Sequence, residues 1–554
     1  MKERLRDHIR KALQDCYARG TLQSGLIPEI ALEVPGRADH GDFSTNIAMV
    51  LARPEKQAPR KIAETLVAAL GEGSCAWGRI EIAGPGFINF FLTERYWFSI
   101  LDEVIRQGSQ YGRSRLGAGK KVQVEFVSAN PTGPLHIGHG RGAATGDAVA
   151  AVLAAAGYEV EREYYLNDAG NQMETLGRSL FLRYRQLLGE PVDFPQDCYQ
   201  GVYIKDLAGE VLEQEGRRLL EIPENEAVSY FAAYGGGKIR NGIDEDLRAF
   251  GVGFDHWYSE QSLYDRGDVE RGIALVKERG LAYEKDGAIW FRTTDFGDDK
   301  DRVLVRSNGA TTYFASDVAY HKEKYDRGFD LVIDVWGADH HGYVPRMKAV
   351  LAGLGRNPDD LKVILVQLVN LLRGGEQVAM STRSGEFVTL REVIDEVGRD
   401  ACRFFFLMRR SDSQLDFDLE LAKKQNNENP VYYVQYAHAR VCSINRNAAE
   451  QGIKQPTLGE VDFDRLTLED ELTLVKLLSR YPEAIEGAAV HCEPHRVVFY
   501  LQDLAARFHS YYNKGRVLGD DLETGKARLY LVNAVRLVLE NALLLLGVSA
   551  PERM

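Results

Sequence analysis

The chain has 554 residues, too many for a single hydrophobic core, so we expect two to four domains. Hydrophobic residues make up 45% and charged residues 27%, as in ordinary water-soluble proteins; no apolar run reaches the roughly 20 residues that span a bilayer, so we expect a cytoplasmic protein. The net charge of −13 argues against a uniformly basic nucleic-acid-binding surface but allows a local basic face. The six cysteines include no C-x-x-C pair, which argues against a disulfide framework and a zinc knuckle.

The first predicted unit covers residues 1 to about 115. It begins with a helical pattern and ends in a strand-rich stretch at residues 80–92, which together predict a small α+β domain. A linker rich in glycine, arginine and serine follows at residues 107–120.

The next segment predicts a strand, a loop and a helix. Residues 121–127 contain β-branched and aromatic side chains, residues 131–134 break the strand, and residues 138–156 form an alanine-rich helix closed by Gly157. Such a junction directs free backbone N–H groups and the positive helix end at a ligand above the strand, which suits a phosphate.

The loop ends in His136-Ile-Gly-His139. Gly138 would let a nucleotide lie against the backbone while both imidazoles donate hydrogen bonds to phosphate oxygens. The alternative is a helix start with two incidental histidines.

Further strands are predicted at residues 160–166, 331–336 and 363–369, alternating with helices. This alternation indicates a parallel sheet with helices on both faces. Residues 170–300, with acidic helices and a hairpin near residues 287–292, are interpreted as an insertion.

After about residue 420 only amphipathic helices are predicted, which is typical of a helical bundle. We therefore expect an N-terminal domain at 1–115, a nucleotide-binding domain at 116–425 and a helical domain at 426–554.

A second polar loop, residues 374–387, follows the predicted strand at 363–369. Ligands of an open parallel sheet bind beyond the carboxyl ends of its strands, so both loops can face one site. Arg383 could neutralise the charge that develops on a leaving pyrophosphate. The alternative is a plain surface loop.

The last third carries a cationic stretch, for which the alternative interpretation is a solvated helix face. Its members are Arg403, Arg409, Arg410, Lys423, Lys424, Arg440 and Arg446.

Together the two loops resemble the paired ATP motifs, often written HIGH and KMSKS, of class I aminoacyl-tRNA synthetases. The flanking sequences resemble arginyl-tRNA synthetases of bacterial type: residues 125–142, 165–172, 313–320 and 436–440. The resemblance covers nearly the whole chain. It implies a Rossmann-like α/β catalytic domain with an insertion, an N-terminal α+β domain and an all-α C-terminal bundle.

The second motif departs from the family pattern, which has a lysine after Met-Ser; here Thr382 takes that position and Arg383 follows. Some family members carry a substitute just before the first motif, but Gly133 occupies that place. His136, His139 and Arg383 are our catalytic candidates. The resemblance implies an ATP site made of His136, Gly138, His139, Met380, Ser381 and Arg383.

A guanidinium group has five N–H donors in a plane and is best recognised by carboxylates. Glu125 and Asp317 could supply two such acceptors; the alternatives are a strand acid with a structural partner and a helix N-cap. The pair His340 and His341 lacks a third metal ligand at useful spacing, so no metal site is predicted. The resemblance implies an arginine site made of Glu125, Ser128, Ala129, Asn130, His139, Tyr313, Asp317 and His340.

The implied reaction joins L-arginine to tRNA(Arg) with ATP and Mg²⁺, without zinc, through arginyl-adenylate and transfer to the 2′-hydroxyl of the terminal adenosine. Family members generally need tRNA even for the first step. Phe87 and Asn89 would contact the tRNA D-loop, or are simply strand residues; Tyr432, Tyr436 and Arg440 would contact the anticodon, or are bundle core. We expect a monomer.

Two other classes of protein share parts of the pattern. A nucleotidylyltransferase with the first motif would leave the N-terminal and helical domains unexplained. A non-catalytic synthetase-like RNA-binding protein should lack groups such as His136 or Asp317, which are present.

Overall fold

The computed structural model describes residues 2–71, 77–378, 388–519 and 521–554. The N-terminal region consists of α1 (Lys2–Ala18), β1 (Phe43–Thr45), α2 (Ile47–Glu55), α3 (Pro59–Leu70), β2 (Trp77–Ala83), β3 (Phe87–Leu92) and α4 (Glu94–Gln107). The three strands form an antiparallel sheet in the order β1-β3-β2, on which α2 and α3 pack.

Helix α4 joins the N-terminal region to the C-terminal helices. Thr93 caps it by accepting a hydrogen bond from the backbone N–H of Tyr96. The ring of Phe98, on its buried face, stacks 6.0 Å from the ring of Phe463. The N-terminal region therefore packs directly on the helical region.

The central sheet begins with β4 (Lys121–Glu125), α5 (Ile137–Ala155) and β5 (Glu159–Leu166). Three helices, α6 (Asn171–Leu187), α7 (Val202–Glu215) and α8 (Glu224–Ala249), then lead to β6 (His256–Ser259). Next come α9 (Gln261–Asp265), α10 (Asp268–Glu278), β7 (Ala282–Lys285), β8 (Ala288–Phe291), β9 (Arg302–Val305), α11 (Tyr313–Asp326), β10 (Leu331–Gly337), α12 (Val344–Gly353) and β11 (Leu361–Val366). Strands β7 and β8 form the predicted hairpin, which β9 extends to a three-stranded sheet.

Five parallel strands form the central sheet in the order β11-β10-β4-β5-β6. The chain runs from β4 to β5 and β6 on one side, and later fills β10 and β11 on the other. Such a reversal opens a crevice at the carboxyl ends of the strands, where ligands bind. The predicted parallel sheet is confirmed.

Helix α5 lies very close to this sheet because small residues line it. A Cβ added to Gly146 would lie 2.2 Å from Cγ of Phe126, so glycine is required there. Helix α11 covers the opposite face, where Lys324 contacts Glu125 of β4.

The predicted strand at 363–369 is two strands. Strand β11 ends at Val366, and the backbone N–H of Gln367 donates to the carbonyl of Ser411 instead of continuing the ladder. The chain then enters a separate sheet formed by β12 (Val369–Arg373), β13 (Glu376–Gln377) and β14 (Leu415–Asp418), accompanied by α13 (Leu390–Val397), α14 (Arg399–Leu407) and α15 (Leu419–Lys423).

The C-terminal region is a bundle of α16 (Pro430–Glu450), α17 (Glu469–Leu478), α18 (Tyr481–His491), α19 (His495–Lys514) and α20 (Leu522–Leu545), which confirms the helical prediction. Asn429 caps α16, and Pro430 occupies its first turn. None of the described helices combines the length and apolarity needed to cross a membrane.

Arg403 is buried, so its assignment to a cationic surface stretch was wrong. Its guanidinium donates to Asp147 Oδ2 at 2.5 Å, to the carbonyl of Leu546 at 2.9 Å and to the carbonyl of Phe250 at 3.4 Å. These acceptors come from α5, from the end of the bundle and from the segment before β6. Arg403 thus joins three parts of the fold.

Candidate active site

A cavity of about 470 Å³ opens at the carboxyl ends of the central strands. Its walls come from β4, β5, β10, α11 and the residues that follow β6. Five of the residues predicted to bind arginine line it: Glu125, Ser128, Tyr313, Asp317 and His340. Asn130 lies beside it, because its side-chain amide donates to Gln172, which lines the cavity, at 2.5 Å.

The histidine loop caps α5 and holds both rings in one tautomer. The backbone N–H of Gly138 donates to Nδ1 of His136 at 3.1 Å, and the backbone N–H of His136 donates to Nδ1 of His139 at 3.3 Å. The rings stack with centroids 3.7 Å apart. Since each Nδ1 accepts, the proton of each neutral imidazole lies on Nε2.

Both imidazoles are neutral near pH 7. Burial lowers the pKa of His136 and lowers that of His139 to about 3. They can therefore act as neutral hydrogen-bond donors through Nε2 and not as cations.

The turn after β4 adopts an uncommon backbone conformation. Val127 and Ser128 have φ values of 68° and 41°, in the left-handed region that non-glycine residues rarely occupy. This turn lets the Ser128 hydroxyl donate to Glu125 Oε1 at 2.9 Å and accept the backbone N–H of Tyr165 at 3.1 Å. The strained turn therefore connects β4 to β5 at the cavity.

Glu125 has a structural partner, as the alternative interpretation proposed. The buried amine of Lys324 donates to Glu125 Oε2 at 2.6 Å. The Tyr320 hydroxyl oxygen lies 3.1 Å from the same oxygen, but its proton is donated to Glu163 Oε1, which is closer. The carboxylate still lines the cavity, so it lies between the cavity and the protein interior.

Asp317 lies inside α11, so the interpretation as a helix N-cap is wrong; Thr312 occupies that position. The Tyr343 hydroxyl donates to Asp317 Oδ2, and burial raises the pKa of Asp317. Tyr313 lies one turn earlier, 54% exposed, at the mouth of the cavity. One face of α11 therefore presents both side chains to the cavity.

Glu260 is a third acidic residue in the cavity, which the sequence analysis missed. It is 2% exposed; Ser316 donates to its Oε1 at 3.0 Å, and its Oε2 has no hydrogen-bond partner among the described residues. Burial raises its pKa to about 7. Its position directly after β6, at the carboxyl end of a sheet strand, is the feature that could have identified Glu260 as a candidate ligand.

Glu161, Glu163 and His256 form the one group in the described chain with the spacing of metal ligands, within 4.8 Å. Arg327 donates to Glu161 at 3.2 Å and to Glu163 at 3.1 Å. The guanidinium takes the place that a metal ion would need, so this group is an ion-pair network.

Met380, Ser381 and Arg383 lie outside the described residues. The described segment that follows them begins beside the histidine loop: Thr389 pairs with His136 in an isolated β-bridge, and the backbone N–H of Leu390 donates to the carbonyl of Leu135 at 2.8 Å. Thr389 and Leu390 thus lie at the start of α5.

The residues predicted to contact tRNA lie in two parts of the fold, the N-terminal sheet and the C-terminal bundle. In the N-terminal sheet, Phe87 is 39% exposed, whereas Asn89 is 4% exposed and accepts a hydrogen bond from Ser44 at 2.7 Å. Asn89 therefore stabilises the strand pair.

On the bundle, the rings of Tyr432 and Tyr436 stack 5.9 Å apart. The guanidinium of Arg440 lies 4.6 Å from the Tyr436 ring centroid and 4.5 Å from that of Tyr512. These three predicted side chains are half-buried, so they lie at the surface of the bundle and not in its core.

Three family models match the chain in sequence order. Residues 3–92 match the arginyl tRNA synthetase N terminal domain, residues 100–412 the catalytic domain of tRNA synthetases class I (R), and residues 434–554 the DALR anticodon binding domain.

The curated relatives include an arginine–tRNA ligase of Syntrophotalea carbinolica, 80% identical over 554 residues, and one of Geobacter sp. strain M21, 61% identical over 555 residues; both alignments cover 100% of each chain. The Thermus thermophilus arginyl-tRNA synthetase structure shares the fold, with a TM-score of 0.75 at 24% identity over 100% of both chains. The Plasmodium falciparum enzyme does so with a TM-score of 0.71 at 17% identity, covering 100% of this chain and 99% of that one. The chain therefore belongs to the arginine–tRNA ligases, the arginyl-tRNA synthetases of class I.

Proposed function

We propose that this protein ligates L-arginine to tRNA(Arg) in two steps. The arginine carboxylate attacks the α-phosphate of ATP to give arginyl-adenylate and pyrophosphate, and the arginyl group then passes to the 2′-hydroxyl of the terminal adenosine. The observation that carries the proposal is an acidic cavity, lined by Glu125, Glu260 and Asp317, at the strand ends in a chain of this family.

Asp317 and Glu260 are the proposed main ligands of the arginine guanidinium. Each retains a carboxylate oxygen for which the structure shows no hydrogen bond from another described side chain, and burial strengthens a charge-assisted contact. Glu125 would contribute a further acceptor, and Tyr313 a contact at the mouth of the cavity. The substrate amino and carboxyl groups would be held by Ser128, Ala129, Asn130, His139 and His340.

For ATP, we assign the phosphates to the start of α5. The Nε2–H groups of His136 and His139 would donate to phosphate oxygens, and Gly138 allows the nucleotide to approach the backbone. The Mg²⁺ that accompanies ATP would offset phosphate charge. Met380, Ser381 and Arg383 remain proposed ligands; the pairing of Thr389 with His136 supports their position at this site.

The proposed tRNA contacts lie on the N-terminal sheet and on the C-terminal bundle. Phe87 is exposed enough to stack on a base, and the aromatic group of Tyr432, Tyr436 and Arg440 suits stacking on unpaired anticodon bases. Asn89 would act by holding the strand that carries Phe87. We further propose domain limits at 1–115, 116–425 and 426–554, a monomer, and a cytoplasmic location.

The test is arginine-dependent exchange between ATP and labelled pyrophosphate, with and without tRNA(Arg). We expect exchange with arginine when tRNA is present and none with lysine or glutamate. Absence of arginine-dependent exchange in the presence of tRNA would contradict the proposal, and exchange that needs neither arginine nor tRNA would favour a nucleotidylyltransferase.

A further inference from the structure

Lys324 is a fully buried amine directly behind the arginine cavity. Its Nζ donates to Glu125 Oε2 at 2.6 Å and to Asp334 Oδ1 at 2.8 Å, and it lies 4.4 Å from the centroid of the Tyr320 ring. Glu125, Asp334 and Tyr320 line the cavity, whereas Lys324 does not. The amine therefore acts on a ligand through these residues and not by direct contact.

Lys324 supplies positive charge beside a row of carboxylates on the central sheet. Asp334 of β10 and Glu163 of β5 are the register partners of Glu125 on its two sides, so three carboxylates stand on neighbouring strands, about 5 Å apart. Arg327 donates to Glu163. Lys324 is the cation shared by Glu125 and Asp334.

Removing the amine would change the protonation of Glu125. Burial raises the pKa of Glu125 and Lys324 opposes that shift; burial also acts to raise the pKa of Asp334, but Lys324 and His321 bring it down. Two adjacent buried carboxylates without a cation share a proton. The titratable and charged groups around Glu125 are Glu163 and Tyr165 on β5, Asp334 on β10, Tyr320, His321 and Lys324 on α11, and Arg327 just after α11.

The same contacts set the direction in which Glu125 can accept hydrogen bonds. A carboxylate offers about four acceptor positions. Lys324 donates to Oε2, the Tyr320 hydroxyl oxygen packs against that same oxygen at 3.1 Å, and Ser128 occupies one position of Oε1. The remaining capacity lies on Oε1, which leaves a single oriented acceptor for one N–H of a guanidinium.

We propose that Lys324 is a positioning residue for arginine recognition: its buried ammonium keeps Glu125 a carboxylate and leaves Oε1 as the acceptor for substrate. The inference rests on the proposed function in taking arginine as the ligand. It adds that recognition depends on an internal cation that never touches the substrate.

The test compares Lys324→Met with Lys324→Arg, and uses Lys322→Met as the matched control on the same helix, where the amine pairs only with Asp326 among the described residues. Michaelis constants for arginine and for ATP are measured by pyrophosphate exchange with saturating tRNA(Arg), and folding is checked by thermal unfolding. The double variant Lys324→Met/Asp334→Asn removes one cation and one anion together. The double variant is used to test the proposal if Lys324→Met does not fold.

We expect the KM for arginine to rise about tenfold or more in Lys324→Met and in the double variant, with the KM for ATP nearly unchanged. In Lys324→Met this KM should fall as pH rises, because Glu125 must lose a proton; Lys324→Arg should restore most of the affinity. A KM for arginine within twofold of wild type in the folded double variant, or an equal rise of both constants, would overturn the proposal. Failure of the proposed function would instead appear as absent arginine-dependent exchange in the wild-type protein.

Discussion

Replacing Asp317 by asparagine removes one negative charge from the cavity wall and changes little else. The Tyr343 hydroxyl that donates to Asp317 can donate equally to the amide oxygen, so the local packing is kept. A guanidinium placed against an amide loses a buried charge-assisted contact, which costs roughly 2–4 kcal/mol. At about 1.4 kcal/mol per tenfold, kcat/KM for arginine should fall roughly 30- to 700-fold.

The assay is tRNA-dependent pyrophosphate exchange at varied arginine concentration. The matched control is Asp326→Asn, on the same helix but paired with Lys322 at the surface, which should leave kcat/KM unchanged. The KM for ATP should stay within about threefold of wild type, because Asp317 contacts only the arginine side chain in this scheme. A kcat/KM for arginine within threefold of wild type would refute the assignment of the pocket.

Glu260 changes its charge near pH 7, so the KM for arginine should fall as pH rises from 6 to 8. The Glu260→Gln variant should lose that pH dependence. A parallel pH dependence in the variant would exclude Glu260 as a ligand of the arginine guanidinium. His139→Ala should lower the rate of arginine activation by roughly 100-fold, because one hydrogen-bond donor to the ATP phosphates is lost. Single-turnover formation of arginyl-adenylate measures this rate, and a normal rate would contradict the proposed ATP site. Arg403→Met should destabilise the protein by about 1–3 kcal/mol, because the buried carbonyls of Leu546 and Phe250 lose their guanidinium donor while Asp147 keeps its pair with Arg162; denaturant unfolding measures this, and unchanged stability would contradict the role of Arg403.

Local signals were sufficient to predict β4, the histidine loop and α5, because β-branched residues, a proline-containing turn and a run of small residues mark those elements within the chain itself. The division of residues 363–369 into two strands was not predictable in this way. It depends on Gln367 pairing with Ser411, a contact between distant segments.

Contacts between distant segments also explain why the environments of Glu260, Glu125 and Arg403 were not predicted. Glu260 faces the cavity only because β6 pairs with β5, whose residue Glu163 is 93 positions from His256. The partner of Glu125 is 199 positions away, and Arg403 meets Asp147 across 256 positions. The sequence suggested Glu125 and Asp317 as carboxylates for arginine, but it missed Glu260 and did not show that Lys324 already pairs with Glu125.

Because the N-terminal region packs on the helical bundle, the proposed tRNA contacts of the two regions would be held at a fixed separation. Besides the contact of Phe98 with Phe463, Lys476 of the bundle pairs with Asp42 at 2.7 Å. The separation between Phe87 and Arg440 is then set by packed protein rather than by a linker. A tRNA whose D-loop and anticodon stand at another separation could satisfy one end only, so discrimination would draw on overall geometry as well as on individual bases.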